Sequence, residues 1–150
     1  MIHIVPALLF LWSGLLIGVS FVATPAKFLA PSLPLSQALD VGRWTFHVLT
    51  TIEWGLVVVA SLLVWACRSR VVAGWGWTMT ALLAAAAVLA VETVVLQPFL
   101  DARVLDIMAG RDVGASIVHD VYIGLDILKL ALIFTAAIAS ARWIPLPARA

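Results

Sequence analysis

Charge is scarce in this sequence. Only 11% of its 150 residues are Asp, Glu, Lys or Arg, where a soluble domain carries about 25%. That leaves too little polar surface to coat a water-soluble globule. Cysteine is nearly absent as well. Cys67 stands alone, which excludes an intramolecular disulfide and a thiolate metal motif; it reads as a small apolar residue near a helix end. An excess of either sign of charge is also missing. Nine basic residues face eight acidic ones for a formal charge of +1, so no basic stripe exists to neutralise phosphates and a nucleic-acid partner is excluded. The serines are scattered without a Gly-x-Ser-x-Gly elbow, and no glycine-rich phosphate cradle occurs. No catalytic residue can be assigned on these grounds. The amino end lacks a Lys/Arg-bearing n-region, although Ala23-Thr24-Pro25-Ala26 has the small residues of a cleavage site. The expectation is a first helix that is retained.

What the sequence does have is apolar length. Hydrophobic residues make up 64% of it and the mean hydropathy is +1.14. Four stretches reach about 20 residues each, enough to cross about 30 Å of hydrocarbon. They run from about Ile4 to Thr24, Phe46 to Ala66, Val72 to Leu96 and Ile117 to Ala141, with Pro25 ending the first, Pro98 following the third and Ser116 placed to cap the fourth. Backbone polar groups in lipid need internal partners, so the spans are expected to be helices. The fold class is therefore an all-α membrane protein, one domain over residues 1–150, with four transmembrane helices in an antiparallel bundle. Two connections are long and one, residues 67–71, is a tight turn. Each long connection is expected to hold a short interfacial helix, from Ser36 towards Phe46 and from Pro98 to Met108, the latter closed by Gly110.

The positive-inside rule orients the bundle. Arg68, Arg70, Arg142 and Arg149 lie on one side with no acidic residue. Lys27, Arg43, Arg103 and Arg111 lie on the other among Asp40, Asp101, Asp106, Asp112 and Asp120. The basic counts tie, but the first side concentrates its charges in shorter segments. The expected location is a bacterial inner membrane, multi-pass, with both termini cytoplasmic and the long connections periplasmic. Trp65, Trp75, Trp77 and Trp143 would form one interfacial belt and Trp44 the other. Gly14 with Gly18, and the alanine-rich run from Ala81 to Ala87, are candidates for close helix contact.

Ionisable residues inside spans are costly and mark candidate sites. The chain has four, Glu53, Glu92, Asp126 and Lys129. Because the spans alternate in direction, all three carboxylates fall in the same half of the bilayer, the outer half in this orientation. His47 and His119 open the second and fourth spans on that side, whereas His3 lies on the other. His119, Tyr122, Asp126 and Lys129 share one face of a helix, and His47, Thr50, Glu53 and Trp54 cover a neighbouring sector. The candidate metal- or cation-binding set is His47, Glu53, Glu92, His119 and Asp126. Lys129 and Tyr122 would be its partners in the pocket, and Arg43, Gln97, Asp101 and Arg103 its rim.

Several chemistries suit such a set. Imidazole and carboxylate ligands bind transition metals, and helix bundles build those sites from inward-facing side chains. The spacing offers neither a His-x-x-x-His nor a Glu-x-x-His pair. Carboxylate and histidine chains also serve as proton or cation relays. A b-type haem between His47 and His119, with Arg43 or Arg103 meeting its propionates, or a quinone, is a further alternative. A fourth reading is purely structural: Lys129 pairs only with Asp126, Glu53 pairs with Arg43 or Arg103, and the chain is an accessory subunit whose charges lock helices in a larger complex. The leading expectation is a small polytopic protein with an outward-facing His/carboxylate pocket for a metal or other cation, in a tolerance, transport or redox role. The expected partners are the lipid bilayer and, beyond it, other membrane subunits or further copies of the chain.

Longer stretches carry a family resemblance. WSGLLIGVSFVATPAKFLAPSL from Trp12, GRWTFHVL from Gly42, VLQPFLDARVLDIM from Val95 and IVHDVYIGLDILKL from Ile117 together resemble the four-span transmembrane protein 205-like family, whose bacterial members are labelled domain of unknown function 4149. The matching positions are Pro25 and Phe28 after the first span, Pro98 and Arg103 after the third, and His119 with Asp126 in the fourth. Gln97 stands where that pattern usually shows an acid, and Asp126 where it often has Asn. The resemblance implies a four-helix membrane protein loosely associated with metal-drug tolerance. It implies no established activity or cofactor.

Overall fold

The computed structural model describes residues 2–69, 71 and 74–143. Arg70 and Arg149, used above to orient the bundle, and Val72, the expected start of the third span, lie outside the described residues. Four long apolar helices pack antiparallel. They are α1 (Ile4–Leu29), α2 (Leu35–Cys67), α3 (Trp75–Met108) and α4 (Val118–Ala141), and each is long and apolar enough to cross a membrane.

The helices of the two long connections form, but they are continuous with the spans. Leu35–Phe46 is the opening of the 33-residue α2, introduced by Pro34. Gln97–Met108 continues α3, with Pro98 in its first turn. Gly110 then closes α3 at φ 73°, where the absence of a Cβ makes the left-handed conformation accessible. The amides of Ala109, Gly110 and Arg111 return to the carbonyls of Leu105, Ile107 and Asp106.

Pro25 does not end the first helix, contrary to expectation. The helix runs through it to Leu29. A proline inside a helix removes one amide and crowds the carbonyl four residues back. Here a π-helical segment, Ile17–Ala23, comes immediately before, and Thr24 donates its amide to the Val19 carbonyl, five residues back. The same device recurs in α3. Residues Glu92–Leu96 are π-helical, and Gln97 donates to the Glu92 carbonyl just before Pro98. The wider turn shifts the ladder ahead of each proline, so the chain bends its hydrogen bonding rather than breaking it.

The buried stripe of each helix divides lengthwise. At the end nearest the short turn it is mainly apolar, with Val5, Leu9, Val57, Ala60, Val64, Cys67, Ala81, Leu82, Ala85, Ala136 and Ala137 interlocked, and the buried Ser13, Thr78 and Ser140 hydroxyls turn back to carbonyls of their own helices. Ala85, Ala136 and Ala137 are fully buried, in keeping with a thin α3 lying close to α4. Cys67 is a buried free thiol at the last position of α2. Gly14 and Gly18 behave otherwise: both are exposed and nothing approaches where a Cβ would stand. Among the described residues they make no close helix contact, contrary to expectation. Exposed Trp65 and Trp77 mark one end and exposed Trp44 the other. Arg68 lies over the Trp65 ring at 4.4 Å, and Trp75 donates its indole N–H to the Val64 carbonyl.

Candidate functional site

Towards the end carrying the long connections, the same buried stripes turn polar. In α2 the residues are Thr50 and Glu53, in α3 Glu92 and Gln97, and in α4 Tyr122, Asp126 and Lys129. Helical spacing places each on the core face of its own helix. The bundle therefore brings them together.

Lys129 is the centre. It is 0% exposed. Its Nζ lies 3.0 Å from Glu53 Oε2, 2.5 Å from Glu92 Oε2 and 2.9 Å from Asp126 Oδ1. The first two contacts are hydrogen bonds. The third is an ion pair that lacks hydrogen-bond geometry, and Asp126 Oδ1 makes no other hydrogen bond. Each acid thus places an oxygen within 3.0 Å of one nitrogen, so no two of those oxygens lie more than about 6 Å apart. The expected convergence of three carboxylates is present. Lys129 pairs with all of them rather than with Asp126 alone.

A fourth helix joins through a residue the sequence reading overlooked. Trp12 of α1 is fully buried and donates its indole N–H to Glu53 Oε1 at 2.9 Å. A signal for it existed. Trp12 shares a face with Val5, Leu9 and Leu16, and a core tryptophan needs an acceptor for its N–H. Both oxygens of Glu53 are consequently occupied. Glu92 Oε1, by contrast, is buried with no hydrogen-bond partner among the described residues.

The residues above this cluster divide into two groups. His47 Nε2 lies 2.7 Å from Asp101 Oδ2, and Gln97 donates to Thr50 Oγ1 at 3.0 Å, two ties between α2 and the far part of α3. Arg43 pairs with Asp40 at 2.9 Å, and Arg103 donates to the carbonyls of Val113 and Gly114. Neither arginine pairs with Glu53. A cavity of about 490 Å³ opens beside the cluster, and Arg43, Gln97, Asp101, Arg103, His119, Tyr122 and Asp126 all line it. Tyr122 packs edge-on against Phe46, with ring centroids 5.3 Å apart. His47, Glu53, Glu92 and Lys129 are not part of the lining. Asp126 belongs to both the cavity wall and the cluster.

A transition-metal centre is not assembled by these residues. Among the described residues no group of three or more His, Cys, Asp and Glu side chains is placed to hold a metal ion. The physical reason is that the Lys129 ammonium occupies the point on which the three acids converge, while His47 is engaged by Asp101 and His119 sits on the cavity wall. No family model, curated protein or solved structure matches this chain. What the geometry of the site offers is charge. Three carboxyl groups face one ammonium in a region closed to water, with one carboxylate oxygen unpartnered and one acid open to a cavity.

Proposed function

We propose that this four-span protein binds and releases a proton, or exchanges it for a small cation, at the Lys129 cluster, and that the cavity is the route to it. The observation that carries the reading is the imbalance of formal charge. Glu53, Glu92 and Asp126 share a single buried cation, Lys129. With all four groups ionised the cluster would hold two uncompensated negative charges, and buried charge without a partner is strongly disfavoured. Protons on the carboxyls, or a bound cation, remove that imbalance. Glu92 Oε1 is the open position, and Asp126 connects the cluster to the cavity. Carboxylates buried inside spans commonly serve as proton or cation carriers. The π-helical turn that begins at Glu92 supports the same reading, since such turns are frequent at functional sites.

In this reading the protein resides in a bacterial inner membrane with both termini in the cytoplasm and the cavity facing outwards. Its role is proton-linked transport or tolerance, in line with the resemblance to the transmembrane protein 205-like family.

The test is proton flux into liposomes containing the purified protein, driven by an imposed membrane potential and read with an entrapped pH dye. Flux above that of empty liposomes, abolished by Glu92→Gln and by Asp126→Asn in variants that retain wild-type helicity, supports the proposal. Flux unaffected by both substitutions contradicts it.

A further inference from the structure

The cavity wall has a chemistry of its own, independent of the proton reading. Lys27 lines it, and among the described residues this ammonium has no carboxylate partner. The acids that share the cavity wall are committed, Asp101 to His47 and Asp126 to Lys129. Lys27 reaches its position because residue 42 is glycine. A Cβ on the buried Gly42 would collide with Lys27 Nζ, which also lies 5.0 Å from the centre of the Phe28 ring. On the same helix, Ser20 Oγ and Thr24 Oγ1 are buried without a hydrogen-bond partner, and both residues line the cavity. Such orphaned hydroxyls call for a polar group. The remainder of the wall is largely aliphatic and aromatic, including Phe21, Leu39, Phe46, Leu100, Val104 and Ile123. The volume, about 490 Å³, is that of a small-molecule site.

We infer that the cavity binds a single-chain amphiphile with one negative charge, a long-chain monocarboxylate such as a fatty-acid anion. Its carboxylate meets the Lys27 ammonium and accepts hydrogen bonds from the Ser20 and Thr24 hydroxyls, and its chain lies along the apolar wall. Arg103, the other cation of the wall that has no carboxylate partner among the described residues, is turned to the carbonyls of Val113 and Gly114, which leaves the Lys27 ammonium to match one negative charge. A charge-assisted hydrogen bond in such a setting is stronger than a neutral one.

The experiment measures displacement of cis-parinaric acid from the full-length protein in nanodiscs, with empty nanodiscs as background. The competitors are oleate, oleyl alcohol and oleoyl lysophosphatidic acid. Wild type should prefer oleate over oleyl alcohol by about tenfold, the scale of one charge-assisted contact. Lys27→Gln should remove that preference and Lys27→Arg should keep it. Gly42→Val, which displaces the ammonium without changing charge, should weaken oleate selectively. Glu92→Gln, which alters only the Lys129 cluster, should leave the oleate-to-alcohol ratio as in wild type, so the outcome is separate from that of the proton proposal. Equal displacement by oleate and oleyl alcohol in wild type would overturn the inference. So would a preference that survives Lys27→Gln, or stronger competition by the lysophosphatidic acid than by oleate, which would point to a phosphate headgroup instead.

Discussion

Lys129 is the residue on which the polar core depends, and its role was only half legible in the sequence. Its depth and its helical spacing to Asp126 follow from counting. That one ammonium reaches Glu53 and Glu92 as well depends on how three helices rotate against one another, which periodicity does not fix. Removing one partner of a buried ion pair costs about 3–5 kcal/mol, because the other charge is left uncompensated. Lys129→Met should therefore lower the thermal unfolding temperature in detergent sharply, and adding Glu53→Gln should recover part of the loss, the coupling expected of residues in direct contact. Trp12→Phe keeps most of the ring but takes the donor from Glu53 Oε1. It should cost about 1–3 kcal/mol, the penalty for leaving a buried acceptor unsatisfied, and the same unfolding measurement checks it. An unchanged unfolding temperature in either variant would show that these contacts do not hold the core.

Among the elements, existence and type were readable from hydropathy, while continuity was not. Pro25 reads as the end of the first span, and Pro98 as the start of a helix separate from the third. In both places an i→i−5 amide bond precedes the proline and the helix carries on, so Lys27 and Asp101 stand on extensions of spans rather than in loops. That extension is what gives the cavity its walls. The glycine and alanine signals also separated. Gly14 and Gly18 face outwards, whereas Ala85 is fully buried where α3 and α4 lie together. Replacing Ala85 by Leu should destabilise the bundle by about 1–3 kcal/mol through overpacking. Leu83→Ala, at an exposed position two residues away, should change little. Paired unfolding curves of the two variants make the comparison, and equal effects would contradict the packing described.

At the scale of the whole molecule, the threading of four spans predicts which segments share a side. Ser32 and Gly114 are exposed in the two long connections, and Ser69 is exposed beside the short turn. Cysteines at positions 32 and 114 should react with an impermeant maleimide from one side of the membrane and a cysteine at 69 from the other. Cys67, fully buried, should remain silent in the background. The same threading explains why the candidate site was locatable before its contacts were known. Alternating spans put Glu53, Glu92 and Asp126 at one level. Hydropathy carried no comparable signal for the cavity, because Lys27 reaches it only through the continued α1.

In the proposed function the Lys129 cluster does not hold three bare carboxylates. Infrared spectroscopy of the membrane-embedded protein at neutral pH, with elemental analysis of the same sample, tests it most directly, since the carbonyl stretch of a protonated carboxyl group is separate from the carboxylate bands. The expected result is either a protonated-carboxyl band that is lost when Glu53, Glu92 and Asp126 are replaced by their amides, or a bound cation in its place. A spectrum with carboxylate bands only, in a sample free of bound cation, would contradict it.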